Sequence, residues 1–341
     1  MEKKLLIIIC LFSIISAETE FNEYSNYNLE LMLSPISVAL GGADLSMNSG
    51  IGFGGSPSNL PYDSLNNLSL SYANYFQNTF SSSILSYNGP ADSGGGFGIT
   101  AGYVYIPDIE DNRDSPETEN GTIVYDPKIK NCSDIFARFA YGHKFTINVK
   151  WDIAAGVAAN ARRTRLIDYS GYGIGLDAGL KVVHKPSGLS MVLQIDNITT
   201  HYTYWSEDYR EYAYPHLRFG LGYEKSFQYI YGRIRIGYTS TDLLSNSGVN
   251  YIRKEIDTND ISVETLEHKT ITDKPSLLIY DSKIGAEYTI MNRLALRIGL
   301  TQGKFNFGAG LQFFSNRAGL DFAYTKHQLA GTYQVSVRYL W

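Results

Sequence analysis

The chain has 341 residues, a net charge of −5, 18% charged and 44% hydrophobic residues, and carries 27 Tyr and 32 Gly. Mild acidity and the lack of a basic stripe exclude a nucleic-acid binder. Two cysteines, Cys10 in the apolar leader and Cys132, exclude an intramolecular disulfide framework once the leader is gone.

Lys3 and Lys4 precede an apolar run from Leu5 to Ile15 that closes on Ser16 and Ala17, which marks residues 1–17 as a secretory signal peptide. The run is shorter than the roughly 20 apolar residues of a spanning helix. Cys10 follows Ile9, where lipoprotein processing needs a small residue, so no lipid anchor is expected. Residues 18–66 form an N-terminal periplasmic segment, and 67–341 show a different pattern.

That pattern is alternation with period two, segment after segment. Ile147, Val149, Trp151 and Ile153 oppose Asn148, Lys150 and Asp152; Tyr172, Ile174, Leu176 and Leu180 oppose Gly171, Gly173, Gly175, Asp177 and Gly179. Leu217, Phe219 and Leu221 oppose Arg218, Gly220, Gly222 and Glu224, and Ile234 and Ile236 oppose Arg233 and Arg235. Leu294, Leu296 and Ile298 are set against Arg297 and Gly299, and Leu320 and Phe322 against Asp321. The last strand sets Tyr333, Val335, Val337, Tyr339 and Trp341 against Gln334, Ser336 and Arg338. A soluble sandwich would carry many Lys and Glu on its second face. Here that face favours Gly and Ser with isolated ions, as the inside of a lipid-embedded barrel does.

Connections alternate in length. Short turns are predicted near 142–144, 185–188, 224–226, 290–292 and 315–316, and longer ones at 107–130, 160–170, 199–214, 241–274 and 326–330. The expected fold is therefore all-β, a transmembrane antiparallel barrel of about fourteen strands in the bacterial outer membrane. Outer-membrane lipid is its first partner. No cofactor, metal site or catalytic residue is expected: the six histidines lack zinc spacing, and the glycines of Gly173-Ile174-Gly175 lie in a strand rather than at a helix start. The inward charges Asp177, Arg218, Glu224, Arg233, Arg235, Glu287, Arg297, Asp321 and Arg338 either line a pathway or brace the wall as a paired network, and bracing is favoured because small barrels fill their interiors.

Several stretches, in order along the chain, resemble the PorV/PorQ group of outer-membrane barrels, relatives of the FadL fatty-acid transporters. These are Pro35-Ile36-Ser37-Val38-Ala39-Leu40-Gly41-Gly42-Ala43, Gly55-Ser56-Pro57-Ser58-Asn59-Leu60, Leu68 to Phe76, Gln194 to Ile198 and Gly319 to Tyr324. The resemblance implies that residues 18–66 include a plug in the barrel mouth, with Gly41, Gly42, Pro57 and Asn59 at its small-residue and proline positions. The outward residues Tyr333, Val335, Val337, Tyr339 and Trp341 resemble the C-terminal signal read by the barrel-assembly machinery. Two functions follow from the resemblance. PorV and PorQ imply an assembly or surface-attachment factor of type IX secretion that holds secretion-system or surface proteins through external loops. FadL implies a transporter of fatty acids or other hydrophobic compounds. The first is the leading expectation, because inward positions read as mostly small or charged and suggest no apolar tunnel.

Overall fold

The computed structural model describes residues 34–47, 55–111, 117–119, 122–124, 128–199, 201–206, 210–213, 215–227, 231–241, 243–244, 275, 277–280, 282–301, 303–326 and 330–341. The signal peptide and the 241–274 connection, apart from 241 and 243–244, lie outside them.

Fourteen antiparallel strands close into one barrel. They are β1 (Asn67–Tyr75), β2 (Phe80–Ala91), β3 (Gly95–Asp111), β4 (Lys128–Thr146), β5 (Trp151–Leu166) and β6 (Tyr169–His184). Then come β7 (Leu189–Asp196, resuming as His201–Trp205), β8 (Arg210–Ala213, resuming as His216–Phe227), β9 (Gly232–Ser240) and β10 (Ser282–Ile290). The last four are β11 (Leu294–Thr301), β12 (Lys304–Phe313), β13 (Ala318–Thr325) and β14 (Thr332–Leu340). The seam pairs β1 with β14, from Asn67↔Leu340 to Asn74↔Tyr333. Asn66 and Trp341 extend it with two backbone hydrogen bonds of 3.0 and 3.1 Å. Closure gives each of the fourteen strands a paired neighbour on both sides among the described residues, the condition for strands in hydrocarbon.

The apolar face points out. Leu70, Phe139, Ile174, Phe307 and Val337 are all among the exposed large hydrophobics, whereas Asp321, Gln194 and Glu287 are buried inside. Aromatic pairs ring the end that carries the chain seam, with Trp151 4.3 Å from His184 and Trp341 5.6 Å from Tyr339 between ring centroids. An apolar outer belt with an aromatic girdle on a closed barrel is the outer-membrane architecture. No helix among the described residues is long and apolar enough to cross a membrane.

Several connections differ from expectation. Residues 142–144 lie within β4, because Gly142 is an inward glycine rather than a turn, and the chain turns at 147–150, so Ile147 and Val149 leave the strand pattern. Residues 224–226 belong to β8. The stretch 160–170 is no long loop: β5 and β6 pair out to Leu166↔Tyr169. Much of 199–214 is likewise paired strand, from His201↔Ala213 to Tyr204↔Arg210. Pairing here continues beyond the level where the outward residues are apolar. β7 breaks between Ile195, opposite Ala178, and Tyr202, opposite Ile174, a bulge held by Asn197 N donating to Asp177 Oδ1 (3.0 Å).

Candidate functional site

Residues 34–47 and 55–63 lie against the inner wall. Ser34 caps a short helix, α1 (Pro35–Ala39), by accepting from Ser37 N, and Gly41 and Gly42 end it with φ of +67° and +74°, a conformation glycine adopts freely. A 3₁₀ turn over Pro57–Tyr62 starts on Pro57, whose ring presets the backbone angle.

Two rows of inward glycines receive this segment. Gly96, Gly142, Gly156 and Gly179 are successive cross-strand neighbours on β3 to β6. A methyl carbon on Gly142 would stand 2.8 Å from Pro61 Cδ, and one on Gly156 would stand 2.7 Å from Ser58 N. Gly222, Gly237, Gly285 and Gly299 form the second row on β8 to β11. They face Ser46, Ala43 and Leu40, and a methyl carbon on Gly285 would stand 3.1 Å from Leu40 Cβ. Glycine in a strand permits this close backbone approach.

Polar groups fasten the segment. Asn59 Nδ2 donates to the carbonyls of Leu45 (3.0 Å) and Met47 (3.3 Å), joining its two parts, while Lys181 Nζ donates to Asn59 Oδ1 at 2.8 Å. The Lys181 ammonium also lies 4.7 Å from the centre of the Tyr62 ring, a cation–π distance. Asn88 donates to Asp63 Oδ2, and Thr301 donates to the carbonyl of Gly41. Burial pushes the Asp63 carboxyl up to about 6, against the opposing pull of the Asn88 hydrogen bond and the Lys181 charge. Gly41, Gly42, Pro57 and Asn59 all belong to this docked segment.

Five of the nine inward charges form one ladder. Arg235 Nη2 meets Glu287 at 2.7 Å, Arg297 Nε meets Glu287 at 2.6 Å, Arg297 Nη1 meets Asp321 at 2.8 Å, and Arg338 Nε meets Asp321 at 2.6 Å. Arg297 reaches across β12 because Gly310 there has no side chain, and an added methyl carbon would lie 2.9 Å from its Nη1. Asp177 stands apart, with Arg138 at 3.2 Å and Asn160 at 2.8 Å, and Arg218 pairs with Asp196 at 2.5 Å. Glu224 and Arg233 form a looser pair (3.4 Å) near the seam-end rim. Sequence reasoning missed Asp134, Arg138, Arg162 and Lys181; their signal was parity, since Arg138 shares a face with Gly142 and Lys181 with Gly179.

The inner wall also carries apolar side chains that sequence reasoning did not place there. Ile84, Val104 and Phe136 point inward as a buried cluster with Phe80 and Ile106 against it. Tyr75 stacks on Phe80 at 4.2 Å, and the Arg162 guanidinium lies 5.3 Å from the Phe136 ring centre. The cluster occupies the barrel half away from the seam end. The adjacent pairs Ile84–Leu85, Tyr103–Val104 and Ile135–Phe136, apolar on both faces of their strands, signalled it. Tyr333, Val335, Val337, Tyr339 and Trp341 all face outward on and just past β14.

Among solved structures the chain is similar to a mutant TodX monoaromatic hydrocarbon channel, at 13% identity over 91% of this chain and 98% of that one, with a TM-score of 0.53. It is also similar to the toluene transporter TbuX of Ralstonia pickettii (13% identity, 92% and 98% covered, TM-score 0.48). A Pseudomonas aeruginosa FadL homologue gives 11% identity, 90% and 99% coverage and a TM-score of 0.45. At these identities the likeness to TodX is one of fold, that of FadL-type outer-membrane barrels. No protein-family profile and no curated protein matches the chain.

Proposed function

We propose that this barrel is a FadL-like channel for hydrophobic compounds, with residues 34–63 as its plug. The observation that carries the reading is the stacking of two layers in one lumen. A segment seated on glycine through replaceable polar contacts fills the seam-end half, and an apolar and aromatic patch of Phe80, Ile84, Val104 and Phe136 on β2 to β4 forms one side of the other. An apolar solute leaves water for that patch at a gain of about 25 cal/mol per Å² buried, and plug movement then opens the way inward. The likeness to the TodX monoaromatic hydrocarbon channel makes monoaromatic hydrocarbons the first solutes to try. The test is saturable uptake of labelled toluene, and of labelled oleate, by cells carrying the chain or its Ile84→Asn/Phe136→Ser double variant. Uptake that depends on the chain and falls in the variant supports the channel; uptake equal to that of cells without the chain removes it.

The secretion-linked reading rests on the resemblance of Leu68 to Phe76, Gln194 to Ile198 and Gly319 to Tyr324 to PorV and PorQ, and on the length of the 241–274 connection. A tagged chain that brings down surface or secretion proteins only when 241–274 is intact would favour it over transport. In either reading the outward side chains ending on Trp341 are our proposed signal to the barrel-assembly machinery.

A further inference from the structure

One row of side chains on the outer wall differs from the belt below it. Arg163 on β5 is the cross-strand partner of Tyr172 on β6, Tyr172 of Tyr204 on β7, and Tyr204 of Arg210 on β8. All four face outward and are exposed. Each guanidinium lies over the neighbouring ring, Arg163 at 5.7 Å from the Tyr172 centre and Arg210 at 5.6 Å from the Tyr204 centre. Neither arginine makes an ion pair among the described residues. Arg165, also exposed, stands one outward position further from the seam end on β5.

The height of this row identifies its surroundings. Trp151 belongs to the seam-end aromatic girdle, and Arg163 lies twelve residues (163 − 151) further along the same strand. At about 3.3 Å per residue and a tilt of roughly 40°, that is on the order of 30 Å of height, the thickness of the hydrocarbon layer. Between them β5 turns only Ile153, Ala155, Val157, Ala159 and Ala161 outward. Ala155 runs between His143 and Leu180 and Ala159 between Phe139 and Leu176, so the outer face of β5 dips below its neighbours at these two positions and forms a furrow interrupted by Val157. Short turns mark the seam end as periplasmic, which places the Arg–Tyr–Tyr–Arg row at the headgroups of the external leaflet.

We infer that this row binds a phosphorylated glycolipid of the outer leaflet. The two arginines, whose backbones stand about 14 Å apart across three strand spacings, take phosphates through their guanidiniums, which supply a planar set of donors. The two tyrosine faces between them take the apolar faces of the sugar rings, and the furrow below takes an acyl chain. The charge is complementary, and the site is independent of what the lumen carries. A lone anionic phospholipid would satisfy one arginine and leave the tyrosines uncovered.

The test uses the full chain in detergent, with bound lipid counted by native mass spectrometry against bisphosphorylated lipid A, its phosphate-free form and phosphatidylglycerol. We expect wild type to retain bisphosphorylated lipid A, and Arg163→Gln/Arg210→Gln to lose it by roughly tenfold or more, since each charge-assisted contact is strong. Arg293→Gln/Arg317→Gln, in the seam-end turns, is expected to leave retention unchanged. Heat-modifiable migration on a gel shows that each variant is folded. Equal retention by wild type and the first variant overturns the inference. So does equal binding of phosphatidylglycerol, which would make the row a general anionic contact, or of the phosphate-free form.

Discussion

The two parts of the N-terminal segment meet the wall differently. Residues 34–47 sit on the β8 to β11 glycine row and against β11 to β14 largely by shape, with Leu40, Ala43 and Ser46 at the contacts and two wall side chains, Thr301 and Ser190, donating to the carbonyls of Gly41 and Ser46. The wall beside them is tied to itself by the ladder from Arg235 to Arg338. Residues 55–63 sit on the β3 to β6 glycine row, and there the wall is tied to the segment: Lys181 to Asn59 and Tyr62, Asn88 to Asp63. One side is a stiffened seat, the other a latch. Movement of the segment should therefore begin at 55–63.

Breaking the stiff side has the largest expected effect. Arg297→Leu strands Glu287 and Asp321 with one arginine each, and losing a member of a buried ion-pair network costs about 3–5 kcal/mol. The temperature at which the folded band converts to the unfolded one on a semi-native gel should fall well below wild type, and no change would contradict a bracing role. Next come the glycine rows. Gly142→Val and Gly237→Val force side chains into occupied space at about 1–3 kcal/mol. Limited proteolysis should then cut residues 34–63 in the folded barrel, with Gly142→Val exposing 55–63 first. Asn59→Ala removes the clamp between the two parts for about 1–2 kcal/mol, and is expected to speed hydrogen exchange at 45–47 and 57–62 while leaving barrel strands unchanged.

The smallest effect belongs to pH. Because the folded Asp63 carboxyl is raised from its usual range to about 6, the docked segment holds a proton that the released one gives up. Docking is favoured most below about pH 4 and weakens as pH rises through 6, a sign opposite to that of an ion-paired acid. Exchange at 57–62, corrected for its intrinsic pH dependence, should be faster at pH 7.5 than at pH 5, and Asp63→Asn should abolish the difference. A wild-type segment equally protected at both values would refute the titration.

Much of this was legible in the residues. Alternation from Tyr172 to Leu180 and from Leu294 to Leu300 established strands, faces and the barrel, because lipid enforces one apolar side. The strand ends were not legible: past the membrane the outward positions become Arg163, Arg165 and Arg210, hydrophobic contrast disappears, and paired backbone reads as loop. Gly142 read as a turn for a related reason, since a glycine that makes room for a docked backbone and a glycine that turns a chain are the same letter. Inward charges were found where they alternated with aliphatics, as at Arg235 and Arg297. Their grouping into a ladder depends on cross-strand register and on the gap at Gly310, which no single strand encodes. The apolar inner wall was missed because Ile135–Phe136 is hydrophobic on both faces and period two cannot say which residue is inside.

The glycine rows also bear on how such a chain can change over time. A wall position that has given up its side chain to seat Pro57 or Leu40 can regain one only if the segment shrinks opposite it, so wall and segment vary as a matched pair or not at all. With the segment withdrawn, the same rows leave stretches of wall on β3 to β6 and β8 to β11 where no side chain projects into the lumen and backbone alone forms the surface.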